Sequence, residues 1–426
     1  MDFALSPQEE AFRKELCDWL DENMKELRQR RGRQGTPAPG MGPGRSGAPA
    51  PGMGPGRPGA PAPEMGPGGG DEVTRWWNKK LFEAGYVGIA WPKEYGGRGA
   101  TVMEQVIFNQ EMAKRRAPGG AGGLGVGWAG PTIMAAGSEE QKKRFLPKIL
   151  SGEEVWCQAF SEPEAGSDLA NCQTRAVEDG DDYVVNGQKL WTTGGMRADW
   201  AILLAKTDFD PATPKHRTFS YFLMDMHSPG VTVRPLRELT GSAAFGETFI
   251  DNVRIPKNLM VGEKNNGWYI TMGTLEFERS NSSSAIQHLN TIANLIELAR
   301  KMERNGQPLS KDPVTRQKIA QFYIESNVGK YIGLRALTRQ LRGQTPGPES
   351  AVGSLLNMEL GQRIEDFAMY LQGPYSQLMG GKHSINNGQW IRGFLSSRGR
   401  TLATGTSEIK RNVIAQRTLG LPRYTE

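Results

Sequence analysis

Two glutamates two residues apart, followed at once by an arginine, stand in the stretch TLEFERSNSSS, residues 274–284. At about 100° per residue in a helix, Leu275, Ser282, Ile286, Leu289, Ala293 and Ile296 fall on one stripe. Glu278 and Arg279 fall on the same stripe, Glu276 lies on its shoulder beyond Arg279, and Phe277 points away. A carboxylate on a buried helix face must be paired, have its pKa raised by desolvation, or be placed for function. With a raised pKa, Glu278 is a general base. Paired with Arg279 or with a neighbouring helix, it is a structural ion pair, and periodicity alone leans toward that pair.

Other candidate chemistries are weaker. Gly120, Gly122 and Gly125 satisfy G-x-G-x-x-G, but the polar helical stretch NQEMAKRRAP precedes them where a dinucleotide fingerprint needs a strand. They read as a flexible glycine loop. Cys17, Cys157 and Cys172 form no CxxC pair and no disulfide framework, which fits a reducing, cytoplasmic setting. The histidines at 216, 227, 288 and 383 are scattered, and no metal site is expected.

Elements must position Glu278. The chain has 426 residues, 37% hydrophobic and 23% charged, enough for two or three cooperating domains. It has no apolar run long enough for a transmembrane helix, and MDFALSPQEEAFRKEL does not read as a signal peptide. Ser6-Pro7-Gln8-Glu9 instead opens a helix, with Ser as cap and Pro at the first helical position. Residues 1–27 and 71–153 read as helical, the stretch SEEQKKRF starting with a capping box from Ser138 to Gln141.

Between these zones lies a twelve-residue Pro/Gly repeat, from GTPAPGMGPGRS at Gly35 to Gly70. It is too poor in apolar residues to offset chain entropy, so 28–70 reads as a disordered or polyproline-like insertion. Lys25, Arg28, Arg30, Arg31, Arg33, Arg45 and Arg57 against Glu26 and Glu64 place +5 of the chain's net +6 here. The folded body is therefore nearly neutral, and nucleic-acid binding is not expected.

Residues 155–253 switch to short strands, among them VWCQAF, YVVNGQKLW, WAILLAK and FSYFLMDM, punctuated by Asp-Gly at 179–180 and Asn-Gly at 186–187. From about 257 the chain is helical again. The reading is an α+β multidomain chain: an N-terminal helical domain over 1–153, a central antiparallel β-barrel or sandwich over 154–254, and a C-terminal four-helix bundle over 255–426.

The stretch WCQAFSEPEAGSD, followed some twenty-five residues later by WTT, resembles the flavin-binding signature of the acyl-CoA dehydrogenase family. The likeness extends to the C-terminal EIKRNVIAQRTLGLPR and covers the chain outside the insertion. On residues alone, WTTGG is a strand end and a turn. The resemblance implies FAD between the β domain and the C-terminal helices. Residues 158–167, with Gln158, Phe160 and Ser161, would line one side of it; Ser161 and Thr193 would hydrogen-bond the flavin ring, and Trp191 would pack against it. Ser167 matches a position near both pantetheine and flavin. The resemblance implies that the other half of such a site comes from a neighbouring subunit: Gln377, Gly380 and Gly381 match the family's glutamine–double-glycine segment, where glycine lets backbone approach the adenosine diphosphate. Thr406 and Glu408 in TGTSEI take the terminal flavin-contacting positions, at a helix start whose N–H groups suit polar or anionic groups. The family's Arg-x-x-Phe-Gly motif is not kept: ARKMERNGQPL has Met302 and Asn305 in place of the Arg and Phe. Arg316 is then the candidate for that phosphate contact.

The implied reaction removes the α-proton of an acyl-CoA thioester and passes the β-hydrogen as hydride to flavin N5. A carboxylate in a dry pocket is the fitting base. Much of the family places it immediately before the Gly-Thr of the terminal motif, where this chain has Thr404. A second branch supplies it from the long helix just before an arginine, which is Glu278. Arg279, Glu276, Ser167 and Gly405 then fall on the substrate side. Helix-borne bases in the family accompany branched or bulky acyl groups, steroid-derived or ring-bearing ones included. The expected partners are an acyl-CoA, an electron-transfer flavoprotein as acceptor, and further subunits in a homodimer, homotetramer or mixed tetramer. Two other classes stay open: an acyl-CoA oxidase or flavin monooxygenase on the same fold, and a non-enzymatic flavoprotein or partner subunit with a basic arm.

Overall fold

The computed structural model describes residues 5–33, 72–119, 123–279, 284–342, 347, 349–403 and 405–422. The chain divides into two compact units, Met1–Glu278 and Arg279–Glu426.

The first unit opens with α1 (Pro7–Arg33). Its predicted cap is present: the Glu9 N–H donates to Ser6 Oγ at 3.3 Å, and the Ser6 N–H to the Glu9 carboxylate at 2.7 Å. Leu16, Leu20, Met24 and Leu27 repeat at helical spacing and are buried. Each contributes about 1.5–3 kcal/mol by leaving water. α1 runs on through Arg33, so residues 28–33, expected to start the insertion, are helical; the repeat itself lies outside the described residues. α2 (Glu72–Glu83), α3 (Val102–Lys114), α4 (Gly130–Ala136) and α5 (Glu139–Ser151) follow. The capping box of α5 is formed, and Gln141 has a second use. Its Nε2 donates to the carbonyls of Asn258 (2.7 Å) and Met260 (2.9 Å), tying this helix start to the β region. Gly125 opens a π-helical turn running into α4, packed so closely on Ile149 and Trp156 that an added Cβ would lie 3.2 Å from Ile149. Gly120 and Gly122 lie outside the described residues.

The strands are β1 (Trp156–Ala159), β2 (Arg175–Asp179), β3 (Asp182–Thr193), β4 (Trp200–Lys206), β5 (Phe219–Asp225), β6 (Val231–Leu236), β7 (Phe245–Pro256) and β8 (Met260–Val261). They form one sheet in the order β6-β7-β3-β2-β4-β5-β8, with β1 also on β4. Pairing is mostly antiparallel; β1 runs parallel to β4, and β2 meets β4 parallel through Arg175 and Lys206. β4 and β5 are near-continuous apolar runs because both of their faces are buried. Ile202, Leu204, Phe219, Tyr221 and Leu223 pack with helical Phe145, Leu146 and Ile149. Ala201, Leu203, Phe222 and Met224 pack with Tyr183, Val185, Ile250 and Val253 of β3 and β7. The sheet thus covers part of its own face, as a β-barrel or sandwich requires.

Asn186-Gly187 is not the turn its sequence suggests. β3 passes straight through it with a register shift against β7, while the hairpin turn lies at Asp179–Asp182, with Gly180 at φ 61°. Tertiary contact decides this: a Cβ on Gly187 would sit 2.3 Å from Thr174 Oγ1.

α6 (Gly267–Arg279) closes the unit. Thr274 fixes it: its hydroxyl lies 2.8 Å from Thr132 Oγ1 and 3.3 Å from the Tyr221 hydroxyl, all three groups buried. Thr132 donates onward to the Trp128 carbonyl at 2.8 Å.

The second unit holds α7 (Ser284–Lys301), the two-stranded β9 (Glu303–Arg304) and β10 (Gln307–Pro308), α8 (Pro313–Leu341), α9 (Glu349–Gln372), α10 (Gln389–Arg400) and α11 (Ser407–Val413). α7, α8, α9 and α10 pack around Ile292, Leu295, Leu298, Phe322, Leu360, Ile364, Leu371 and Trp390, which is the expected helical bundle. The stripe expected along α7 is displaced. Ile292, Leu295, Leu298 and Ala299 are its buried positions and Ala293 is exposed, because α7 packs on both α8 and α9 rather than on one surface. Residues 280–283, which the stripe assumed to be helical, lie outside the described residues. Asn305 and Gly306, both at positive φ, form the tight turn between β9 and β10. Among the described residues, no helix is long and apolar enough to cross a membrane.

Glu111 of α3 is buried, and its carboxylate meets Arg13 (3.1 Å), Lys114 (2.7 Å) and Arg115 (2.6 Å). Burial opposes its ionisation, yet these cations hold its pKa down at about 2. A folded pKa below the unfolded value of about 4.3 adds stability above that pH and loses it as pH falls toward 2. Glu111→Gln should therefore lower the melting temperature at pH 7 and make the acid decline shallower. Thermal melts between pH 7 and 2 read this, and a variant with the wild-type acid profile contradicts it.

Candidate active site

In the first unit the loop after β1 is held from beneath by a buried ion pair. Lys189 of β3 is fully buried, and its ammonium donates to the Glu162 carboxylate at 2.8 Å and to the Phe160 carbonyl at 2.9 Å. Glu162 also accepts from the Thr174 N–H (2.9 Å), the Thr174 hydroxyl (2.6 Å) and the Gln173 N–H. Burial opposes ionisation of Glu162, but Lys189 and these donors hold its pKa below the ordinary carboxylate value. Glu162 and Ala165 exchange backbone hydrogen bonds at 3.0 and 3.1 Å, closing SEPEAGSD into a tight turn.

The predicted residues divide across this support. The Phe160 ring is buried against Tyr221 in the core, so it presents backbone rather than an aromatic face. Gln158 and Ser161 are half-buried, and Ser167 and Thr193 are exposed. The Ser161 carbonyl accepts from the Leu190 N–H at 2.8 Å, joining the loop to the strand that carries Trp191.

Trp191 is the structural anomaly of this strand. Lys189 pairs with Thr248 and Thr192 with Gly246, so β3 spends one more residue than β7 between the two pairs. The extra residue leaves Trp191 at φ 60°, a region aromatic side chains avoid. Its ring is 56% exposed and meets Phe245 edge-on at 5.6 Å. Such strain collects at ligand sites, where a bulge aims a side chain out of the ladder. An exposed indole beside exposed hydroxyls and half-buried backbone suits a planar heteroaromatic group with polar edges.

The second unit contributes two further predicted segments. Gln377, Gly380 and Gly381 lie in an exposed loop, with Gly381 at φ 90°. Arg392 of α10 clamps this loop, donating to the carbonyls of Met379 (2.8 Å) and Asn387. Gly405, at φ 91°, leads into Thr406, which caps α11 by accepting from the Ile409 N–H at 3.2 Å. Glu408 is exposed, its pKa lowered by its own backbone N–H and by the Thr406 hydroxyl. Glu408 lines a polar cavity of about 470 Å³ with Glu359, Gln362, Arg363, Ser407 and Arg411. Arg316 is not part of that cavity; it is exposed on the first turn of α8 and donates to the Ser310 carbonyl at 3.4 Å.

Glu276, Glu278 and Arg279 occupy the last turn of α6, and their side chains lie outside the described residues, as does Thr404. Sequence reasoning missed Lys189, Thr174 and Arg392. A lysine inside an alternating strand was the visible signal for the first; the other two act through partners distant in sequence.

Glycine tolerates the backbone of residue 191 and alanine does not. Trp191→Gly should therefore be more stable than Trp191→Ala by about 1 kcal/mol, measured by urea unfolding; the reverse order would show that the bulge carries no strain.

The chain matches three family models that together span most of it: acyl-CoA dehydrogenase, N-terminal domain, at residues 68–153; middle domain at 157–253; and C-terminal domain at 265–419. Acyl-CoA dehydrogenase IpdE1 of Mycobacterium tuberculosis is 37% identical over 361 residues, covering 83% of this chain and 89% of that one. The ChsE4-ChsE5 complex from Mycobacterium tuberculosis superposes with a TM-score of 0.77 at 28% identity, covering all of both chains. A structure described as the Tcur3481-Tcur3483 steroid ACAD gives 0.78 at 27%, again over all of both chains. With its signature loop seated on a buried ion pair and its strained tryptophan facing outward, this chain belongs to the acyl-CoA dehydrogenase family of FAD-dependent oxidoreductases.

Proposed function

We propose that the chain oxidises an acyl-CoA thioester to its 2,3-enoyl form, with Glu278 as the base that takes the α-proton. The observation that carries this is the anchoring of α6. Thr274 bonds into Thr132 and Tyr221 within the first unit, and Glu278 follows one helical turn later on the same helix. The helix that bears the carboxylate is thus fixed to the β region that bears the signature loop, while position 404, where much of the family has its acid, is a threonine.

FAD, when bound, supplies the hydride acceptor. Gln158, Phe160, Ser161, Ser167, Trp191 and Thr193 would hold it from the first unit, Phe160 through its backbone. Gln377, Gly380, Gly381, Thr406 and Glu408 of a neighbouring subunit would hold its other parts, with Arg316 at a phosphate. Glu276, Arg279, Ser167 and Gly405 would face the substrate. Arg279 would orient the thioester end, and exclusion of water would keep Glu278 basic enough to take a weakly acidic proton. The three-part division at about 153 and 254 accompanies this reading, with cytoplasmic residence and an electron-transfer flavoprotein as acceptor.

A branched or ring-bearing acyl group is the proposed substrate. The helix-borne base points that way, and so do the similar structures, one of them described as a steroid ACAD. Assembly into a homodimer, homotetramer or mixed tetramer is supported by a similar structure that is itself a two-component complex. On α8, Tyr323, Ile324, Val328 and Tyr331 form an exposed apolar stripe on one helical face, of the kind that subunits cover.

Glu278→Gln should keep its flavin spectrum while anaerobic bleaching by acyl-CoA slows by about 10²–10⁴-fold. Bleaching at the wild-type rate sinks the assignment, and peroxide formed on turnover without an added acceptor would favour the oxidase reading instead. Ile324→Arg combined with Tyr331→Arg should lower the mass found by light scattering; an unchanged mass removes α8 from the interface.

A further inference from the structure

Lys189 has no role in the chemistry proposed above, yet its placement is specific. A fully buried ion pair is a poor device for stability, because well-packed apolar residues usually serve as well or better. An apolar pair, however, cannot donate a hydrogen bond to a main-chain carbonyl. Lys189 does so, to Phe160, whose carbonyl also lies 3.4 Å from the Cys172 thiol.

A trans peptide is planar and points its C=O and N–H in opposite directions. No cis bond occurs among the described residues. The carbonyl of the Phe160–Ser161 peptide is directed inward at the ammonium, so its N–H, that of Ser161, is directed away from the buried lysine. Among the described residues nothing accepts from the Ser161 N–H, although the Ser161 carbonyl is bonded to Leu190. An ammonium bonded to the carbonyl withdraws electron density through the peptide and makes that N–H a stronger donor. Glu162 sets a carboxylate against the amine at 2.8 Å and is itself fixed by three further donors, the Gln173 N–H, the Thr174 N–H and the Thr174 hydroxyl.

We propose that Lys189 is a positioning residue that polarises the Phe160–Ser161 peptide, so that Ser161 N–H binds the flavin ring more strongly when the ring is reduced than when it is oxidised. This rests on the reading of Ser161 as a flavin contact. Charge accumulates on the ring on reduction, so a stronger donor raises the midpoint potential.

The test is spectroelectrochemical titration of bound FAD, with FAD content and melting temperature measured alongside. Lys189→Met should change the ratio of reduced to oxidised affinity about tenfold, a shift of about 30 mV to more negative potential for a two-electron couple. Glu162→Gln keeps the amine against the carbonyl and removes its counter-charge, so it should shift the potential the other way. A merely structural loosening of the loop would move both variants in the same direction. Lys189→Met with Glu162→Gln leaves no buried charge to destabilise the fold and should reproduce the negative shift. The proposal is overturned if a FAD-replete Lys189→Met or double variant keeps the wild-type potential, or if the two single variants shift alike. A wild-type chain that takes up no FAD would instead refute the flavin reading beneath it.

Discussion

An ammonium can be buried without water only where a carboxylate and carbonyls replace its hydration shell. Lys189 meets that condition beneath the signature loop, and much of the β region is arranged around it. Glu162 must reach the amine, so the chain turns tightly between Glu162 and Ala165. Thr174 must reach Glu162, so it presses against β3 at a position where only glycine fits. The bulge two residues beyond Lys189 then turns Trp191 out of the ladder. Loop and glycine answer to one buried ion pair.

The same unit carries strain and rigidity side by side. Trp191 is held in a backbone region that an aromatic residue leaves unless its surroundings hold it there, and the long β3–β7 pairing on either side does so. α6 is held differently, by three buried hydroxyls that satisfy one another in a core with no water to compete. Both devices fix backbone: one at residue 191, the other along α6.

How much of this was legible depends on the range of the interaction. The caps at Ser6 and Ser138 were read correctly because a capping box closes within four residues. The strands of the β region were legible from their β-branched and aromatic runs, while the two-faced burial of β4 and β5 emerged with the fold. Asn186-Gly187 misled because its local signal for a turn is strong, but Thr174 needs the glycine for space. The displaced stripe on α7 has a similar cause: periodicity locates an apolar line, and the number of packing neighbours decides which positions are buried.

By itself the sequence determined the family and the order of helical and β regions, since these depend on residue identity and short-range spacing. It also singled out Trp191, Ser161 and the glycine segment at 377–381 as site residues by resemblance. Only the tertiary structure decided what supports them. The bond from Lys189 to Phe160 spans 29 residues, that from Glu162 to Thr174 joins a turn to a strand entry, and that from Thr274 to Thr132 spans 142. Contacts of that length leave no periodic trace in the chain, because each end is a single polar residue whose partner is chosen by the fold.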